Sequence, residues 1–355
     1  MRAHISLLAA SALLVSVCGA TGATASEPAP GDAEQAKSAV VQVMSNSASG
    51  TGFVYDAGGG LIATTAYVIA GESGLKVAVA GGAPVSARLM GSDLCQDLAV
   101  LKLTSPQTGL KGLRLGDSDL LFGGDPITSL GYPDAGTPGA DVVAVSGAAY
   151  ETAADVGHLS TPDYPALIHH SVDTKPGDTG GPVLDKNGDV VGVNTGTWID
   201  EQQPTGEKRR VAEAISSNQV KDELPGLAAG STKNDPGWWL GAVSDPSLPQ
   251  QAGSAEIDKS ALQAAHKRLQ SEGTDGLFVF DVRKGSPAEK AGLRQGAVIT
   301  TVNGEAVTTV PELCEILEPA SPGEQLNLQG VYSGVGAGGH RFGDAWTADV
   351  QLAGS

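Results

Sequence analysis

The chain has 355 residues, 41% of them hydrophobic and 17% charged, with 49 Gly and 20 Pro; that is too long for one ordinary core and too apolar for a disordered chain, so two globular domains with short tails are expected. Aromatic residues at 4%, set against abundant small ones, favour short strands and turns over thick helical packing. The 40 Asp and Glu against 22 Lys and Arg give a net charge of −18, which repels phosphate backbones and anionic headgroups and sets nucleic-acid binding aside.

Arg2 and His4 precede an apolar run from Ile5 to Val17, and Ala23-Thr24-Ala25 supplies small residues for a cleavage site, so residues 1–25 read as an export signal. The run is shorter than the ~20 residues that cross a bilayer core, so no stable transmembrane anchor is expected. Cys18 follows Val17, which is bulkier than a lipidation site normally accepts. Residues 26–38 read as a flexible leader. From Ala39 onward, short apolar runs alternate with turn signals: Val40 to Met44, Gly52 to Tyr55, Leu61 to Thr65, Leu75 to Val79 and Leu98 to Leu103. The rhythm continues through Pro126 to Tyr132, Asp141 to Ser146, Ala166 to Ser171, Val183 to Leu184 and Val190 to Asn194, the last two flanking the hairpin dipeptide Asn187-Gly188. This is the pattern of an all-β barrel or sandwich spanning residues 39–224. Residues 225–236 are rich in Gly, Ala and Pro and read as a linker.

Residues 237–353 mix strands and helices. Trp239 to Val243 and Leu277 to Val282 read as strands, and Ala255 to Gln270 as a helix with Ile257, Ala261, Leu262, Ala265 and Leu269 at helical spacing. Ser286-Pro287 opens a short helix, Ala297 to Val302 leads into a turn at Asn303-Gly304, and Pro311 to Leu317 is helical. Gln325 to Val331 and Trp346 to Leu352 close the domain as strands. Of the cysteines, Cys95 and Cys314 survive signal removal; far apart in sequence, they are expected as buried free thiols, although export leaves a disulfide open. No Cys and His spacing resembles a zinc site, and Asp185, Asn187 and Asp189 are explained by a hairpin turn, so no metal or other cofactor is expected.

Four patterns in order carry a family resemblance. Ser49-Gly50-Thr51-Gly52-Phe53-Val54 with Thr64-Thr65-Ala66-Tyr67-Val68-Ile69 resembles the general-base segment of trypsin-like HtrA/Deg proteases. Asp97-Leu98-Ala99-Val100-Leu101-Lys102 resembles that family's acidic segment, Pro176-Gly177-Asp178-Thr179-Gly180-Gly181-Pro182 its nucleophile loop, and Ala214-Ile215-Ser216-Ser217-Asn218 its last substrate-pocket segment. Beyond the linker, Trp239-Leu240-Gly241-Ala242, Gly285-Ser286-Pro287-Ala288 and Gly296-Ala297-Val298-Ile299 resemble the family's PDZ module. The resemblance implies an all-β double β-barrel of trypsin-like fold followed by an α+β PDZ domain, and homo-oligomerisation. It also implies triad positions at Tyr67, Asp97 and Thr179, an oxyanion hole at Gly177 and Thr179, and a peptide groove formed by Trp239, Leu240, Gly241, Ala242, Leu313 and Leu317.

The departures from that pattern decide the chemistry expected. Tyr67 stands where the family carries histidine and Thr179 where it carries serine. A phenol with a pKa of about 10 is protonated at pH 7 and cannot take the nucleophile's proton. Threonine nucleophiles elsewhere use a free amine as base, and Thr179 is internal. His169 and His170 sit on a strand where at most one faces inward, and His158, His266 and His340 are expected in solvated loop or helix positions. Asp97 is expected to persist as a buried carboxylate accepting a hydrogen bond from the Tyr67 hydroxyl. The sequence thus points to an exported pseudoprotease that binds unfolded polypeptides or protein C-termini. A weak endopeptidase using Thr179 and a purely structural surface module are the alternatives.

Overall fold

The computed structural model describes residues 30–353 except 46–48, 72–73, 138, 155–158, 201–208, 233–234, 252–256 and 337. The expected export signal, Cys18 and His158 lie outside the described residues. The first described element is a helix, α1 (Pro30–Ala36), followed by a 3-10 turn at Lys37–Ala39. Residues 30–38 of the segment expected as a flexible leader are therefore helical, because Ala and Gln are good helix formers and Ala36 and Ala39 are buried.

Six strands, β1 (Val40–Met44), β2 (Ser49–Asp56), β3 (Leu61–Thr64), β4 (Lys76–Val79), β5 (Val85–Asp93) and β6 (Leu98–Leu103), close into a barrel when β1 pairs with β4. A one-turn helix, α2 (Ala66–Ile69), leaves β3. A second barrel is made by β7 (Pro126–Gly131), β8 (Val143–Ala154), β9 (Leu167–His170), β10 (Pro182–Leu184), β11 (Val190–Asp200) and β12 (Arg209–Ser216). Val41, Val43, Ile62 and Leu101 fill the first barrel, and Ile127, Ile168, Val183 and Ala214 the second. Between them, Val40, Phe53 and Leu98 of one barrel pack against Leu130, Tyr132 and Ile215 of the other. Thr51 fastens the same seam: its N–H donates to Thr179 O (2.9 Å) and its hydroxyl to Gly177 O (2.7 Å), and it accepts the Tyr132 N–H (2.9 Å).

Ser216 caps α3 (Ser217–Ala228) through the Gln219 N–H. Leu224 and Leu227 are buried in the seam between the barrels, and they carry the helix through Pro225, so the linker expected from 225 starts only after Ala228. The C-terminal domain comprises β13 (Trp238–Ala242), α4 (Leu248–Gln251), α5 (Lys259–Ser271), β14 (Leu277–Val282), α6 (Pro287–Lys290), β15 (Ala297–Val302), β16 (Glu305–Ala306), α7 (Val310–Leu317), β17 (Gln325–Tyr332) and β18 (Ala345–Gln351). Its sheet runs β13-β14-β15-β17-β18 with β16 beside β15, so β13 is an edge strand. Helix α7 packs on one face of this sheet and α5 on the other.

The two domains are bound to each other covalently. Cys95, in the turn after β5, and Cys314, on α7, form a disulfide with Cα atoms 5.5 Å apart. The expected free thiols are thereby corrected: a separation of 219 residues is no obstacle once α7 is folded back onto the first barrel. Asp235, in the linker, accepts hydrogen bonds from Ser92 of β5, from Arg283 Nη1 (2.8 Å) and from the Gly237 N–H (2.8 Å). The Arg283–Asp235 pair is almost fully enclosed, so removing one partner strands a charge away from water. Arg283→Met is expected to lower stability to urea by about 3 kcal/mol; a loss below about 1 kcal/mol would show that the pair behaves as a surface contact.

Candidate functional site

The site begins at the turn between β5 and β6. Asp93 Oδ1 accepts the N–H groups of Cys95 (2.8 Å) and Gln96 (3.1 Å), an Asx turn that fixes the loop. Asp97 follows with φ +47°, the left-handed region that Asp tolerates better than most residues. Its carboxylate is buried and accepts three donors. Oδ1 takes the backbone N–H of Tyr67 (2.8 Å), and Oδ2 takes the hydroxyls of Thr195 (2.7 Å) and Tyr164 (3.4 Å). Burial pushes its pKa up to about 6 against the opposing pull of these bonds, that from Thr195 foremost.

The hydrogen bond expected from the Tyr67 hydroxyl to Asp97 is replaced by one from the Tyr67 backbone. Tyr67 is the second residue of α2, whose first-turn N–H groups lack intrahelical partners and compete for a nearby carboxylate. Its ring turns instead to the C-terminal domain and meets Trp239 edge-on, with centroids 5.8 Å apart and planes at 88°. Trp239 in turn lies 5.0 Å from Phe280. Desolvation and then the Asp97 charge push the Tyr67 phenol above its ordinary value. The residue keeps 49% of its surface open, which softens the desolvation, but both causes act in the same direction and the phenol stays protonated at neutral pH.

Thr179 sits at the seam between the barrels, and its hydroxyl donates to Thr195 O at 3.4 Å. Glycine is required on both sides of it. A Cβ on Gly177 would stand 2.2 Å from Tyr132 O, and one on Gly180, at φ +85°, would stand 2.2 Å from Thr51 O. The expected oxyanion hole is not open at Thr179, because the Thr179 N–H points to Pro176 O (3.4 Å), closing the 3-10 turn Pro176–Asp178. The next two amides are also used, Gly180 N–H by Asn194 O (2.8 Å) and Gly181 N–H by Asp178 O (2.9 Å).

Among the described residues, no imidazole stands in for a base. His169 faces Glu213 (3.4 Å) and His170 is fully buried inside the second barrel, so both faces of β9 are covered, correcting the expectation that one of the two faces outward. No hydrogen bond joins either to Thr179. His266 is also buried rather than solvated, with Nε2 2.7 Å from Val243 O, because α5 packs flat on the sheet. His340 stacks on Tyr332. Among the described residues, no group of three or more His, Cys, Asp or Glu is placed to hold a metal ion.

Tyr67, Asp97, Thr179 and Thr195 face Trp239 and Leu240 across a cavity of about 490 Å³ between the two domains. Of the groove residues expected, Trp239 and Leu240 line this cavity; Gly241 is pressed against Phe280 and Leu248, and Ala242 is buried. Leu313 and Leu317 are fully buried in the domain's core, which removes them from the groove, because they lie on the face of α7 turned to the sheet. The sequence reading missed Tyr164 and Thr195, which hold Asp97, and Glu213, which lines the cavity beside Gly196. No local pattern marks these three; Thr195 and Glu213 are brought together by the long-range pairing of β11 and β12, and Tyr164 comes from the connection between β8 and β9.

Two buried groups give the site a pH signature. A carboxyl whose folded pKa lies above its unfolded value holds its proton more tightly when folded. Asp97 at about 6 therefore reduces stability fully above pH 6, and the loss fades as pH falls towards 4. His170, held down to about 4 chiefly by burial, acts in the opposite sense: its contribution is full above pH 6.5 and disappears on acidification towards 4. Asp97→Asn is expected to leave the His170 dependence uncompensated, so that urea midpoints fall more steeply between pH 7 and pH 5 than in the wild type. Parallel profiles would show that Asp97 is not held at a raised value.

Residues 50–193 match the trypsin-like peptidase domain family and residues 278–329 the PDZ domain family. A protein of Brucella suis biovar 1 named as a DegP-like periplasmic serine endoprotease is 30% identical over 79% of this chain and 49% of its own length. The serine protease Do-like HtrA of Lactococcus lactis subsp. lactis is 29% identical over 86% of this chain and 71% of its own. A solved HtrA-type protease, AlgW with a bound tripeptide, is 22% identical, covers 91% of this chain and 95% of its own, and superposes with a TM-score of 0.49. The chain spans about half the length of the Brucella relative. Two closed β-barrels with the peptidase motifs in order, followed by a PDZ sheet domain, place this chain in the HtrA/Deg-type family of trypsin-like serine proteases.

Proposed function

We propose that this chain is a non-catalytic, exported member of its family that binds polypeptide rather than cutting it. The carrying observation is where Asp97 directs its carboxylate. In a working triad the acid orients an imidazole that takes the nucleophile's proton and hands it to the leaving amine. Here Asp97 is spent on the Tyr67 backbone and on the Thr195 and Tyr164 hydroxyls. The Tyr67 phenol is held in its protonated form, and the Thr179 hydroxyl donates to a carbonyl rather than to a base.

What the site retains suits binding. The cavity between the domains has apolar walls from Leu94, Leu159, Trp239 and Leu240 and polar groups at its base, the usual make-up of a pocket that orients a ligand. The edge strand β13 offers the geometry by which PDZ domains add a peptide C-terminus as a further strand. Its ligands are therefore unfolded polypeptides or exposed C-termini, in a quality-control or regulatory role, with homo-oligomerisation as in other family members. Export follows from the Arg2-to-Ala25 pattern and agrees with the periplasmic naming of the Brucella relative. No helix among the described residues is long and apolar enough to cross a membrane.

Incubation of the purified mature chain with unfolded casein tests this reading. Binding by fluorescence anisotropy is expected, with no fragments above those given by Thr179→Ala. Fragments that disappear in Thr179→Ala would establish a threonine-dependent endopeptidase, and absence of both binding and cleavage would leave a structural module.

A further inference from the structure

The free edge of β13, where a peptide would add, is already engaged by the protein itself. Residues Leu159 and Ser160, from the connection between β8 and β9 of the second barrel, reach across to it. The Ser160 hydroxyl accepts the Ala242 N–H (3.1 Å) and donates to Asp245 Oδ2 (2.9 Å), and Leu159 O accepts the Val310 N–H at the start of α7 (2.9 Å). These contacts use one amide from the strand and one from the helix that together bound the groove. The Cys95–Cys314 disulfide joins α7, one turn beyond Val310, to the turn that carries Asp97. The groove is thus closed by hydrogen bonds at its mouth and by a covalent bond behind it.

We propose that Leu159–Ser160 acts as a built-in competitor for the β13 edge, and that the Cys95–Cys314 bond holds the closed state, so that the chain binds a peptide C-terminus at β13 much more tightly once that bond is broken. This rests on the peptide-binding reading above. A competitor carried on the same chain acts intramolecularly, at an effective concentration that a free peptide must exceed, and a covalent clamp on α7 limits how far the domains can part from it. A free peptide must therefore displace a segment that cannot diffuse away. Opening requires a two-electron reductant, such as a dithiol. One of its thiolates attacks a sulfur of the bridge to form a mixed disulfide, and its second thiol then closes the reductant's own disulfide. Two electrons pass to the bridge, and Cys95 and Cys314 are left as thiols after protonation. Cys95 is 1% exposed and Cys314 6%, so attack waits on a transient parting of the domains, and the closed form resists reduction until the interface loosens.

The test compares the full mature chain in its oxidised form with the double variant Cys95→Ala/Cys314→Ala and with wild type reduced by tris(2-carboxyethyl)phosphine, which stands in if the variant fails to fold. Fluorescein-labelled decapeptides ending in Leu, Val or Phe with a free carboxylate are titrated against each, with C-terminally amidated versions as controls. Hydrogen exchange is followed at the Ala242 and Val310 amides. Binding at least tenfold tighter without the disulfide, lost on amidation, and faster exchange at both amides are expected. Equal affinity in oxidised and disulfide-free forms, or unchanged exchange at both amides, overturns the clamp. Faster exchange with no binding of any free-carboxylate peptide leaves the clamp standing and removes the receptor reading on which the proposal depends.

Discussion

The short turn from Asp93 to Asp97 governs much of this molecule. Asp93 folds the backbone over its own carboxylate, and the left-handed conformation at Asp97 completes a tight reversal between two barrel strands. Within that reversal, Cys95 is presented outward to α7 and Asp97 inward to the cleft. One local geometry therefore sets both the chemistry at the centre and the position of the second domain. A change in the turn would be felt at the carboxylate, at the bridge and at the cavity between them.

The centre, on the non-catalytic reading proposed above, keeps its scaffold by contacts that do not need the reaction. The interactions that hold the barrels together run through backbone groups of the nucleophile loop, with Thr51 binding Thr179 O and Gly177 O. These bonds do not depend on the side chain at 179, so a change of that side chain leaves the seam intact. The position expected to carry the base has become an interdomain contact: Tyr67 meets Trp239, and Trp239 continues into the aromatic core through Phe280. An imidazole at 67 would serve the acid; the phenol serves the neighbouring domain.

Much of this was legible in the residue pattern, for identifiable reasons. The alternating strands of both barrels show in sequence because each buries one set of side chains in a barrel interior, as β1 does with Val41 and Val43. Strand β5 has no continuous apolar run, since Val85, Ala87 and Leu89 alternate with Ser86 and Arg88, and its place is set by pairing with both β4 and β6. Ordered motifs supply the positions expected for the triad, but they do not supply the partners of Asp97. Thr195 reaches it from β11 and Tyr164 from the connection before β9, and no spacing in sequence signals a hydroxyl that meets a carboxylate only after the second barrel closes. The disulfide was hidden for the same reason, as its two halves belong to different domains.

On the proposed reading no group in this cleft activates a hydroxyl, which covalent labelling tests. A fluorophosphonate reagent phosphonylates a hydroxyl that a neighbouring base has made nucleophilic and leaves an ordinary threonine untouched. After prolonged incubation at neutral pH, intact-mass measurement and peptide mapping are expected to show no adduct on Thr179. A stoichiometric adduct at Thr179, absent after denaturation, would mean that a base operates there and would contradict the binding-only reading.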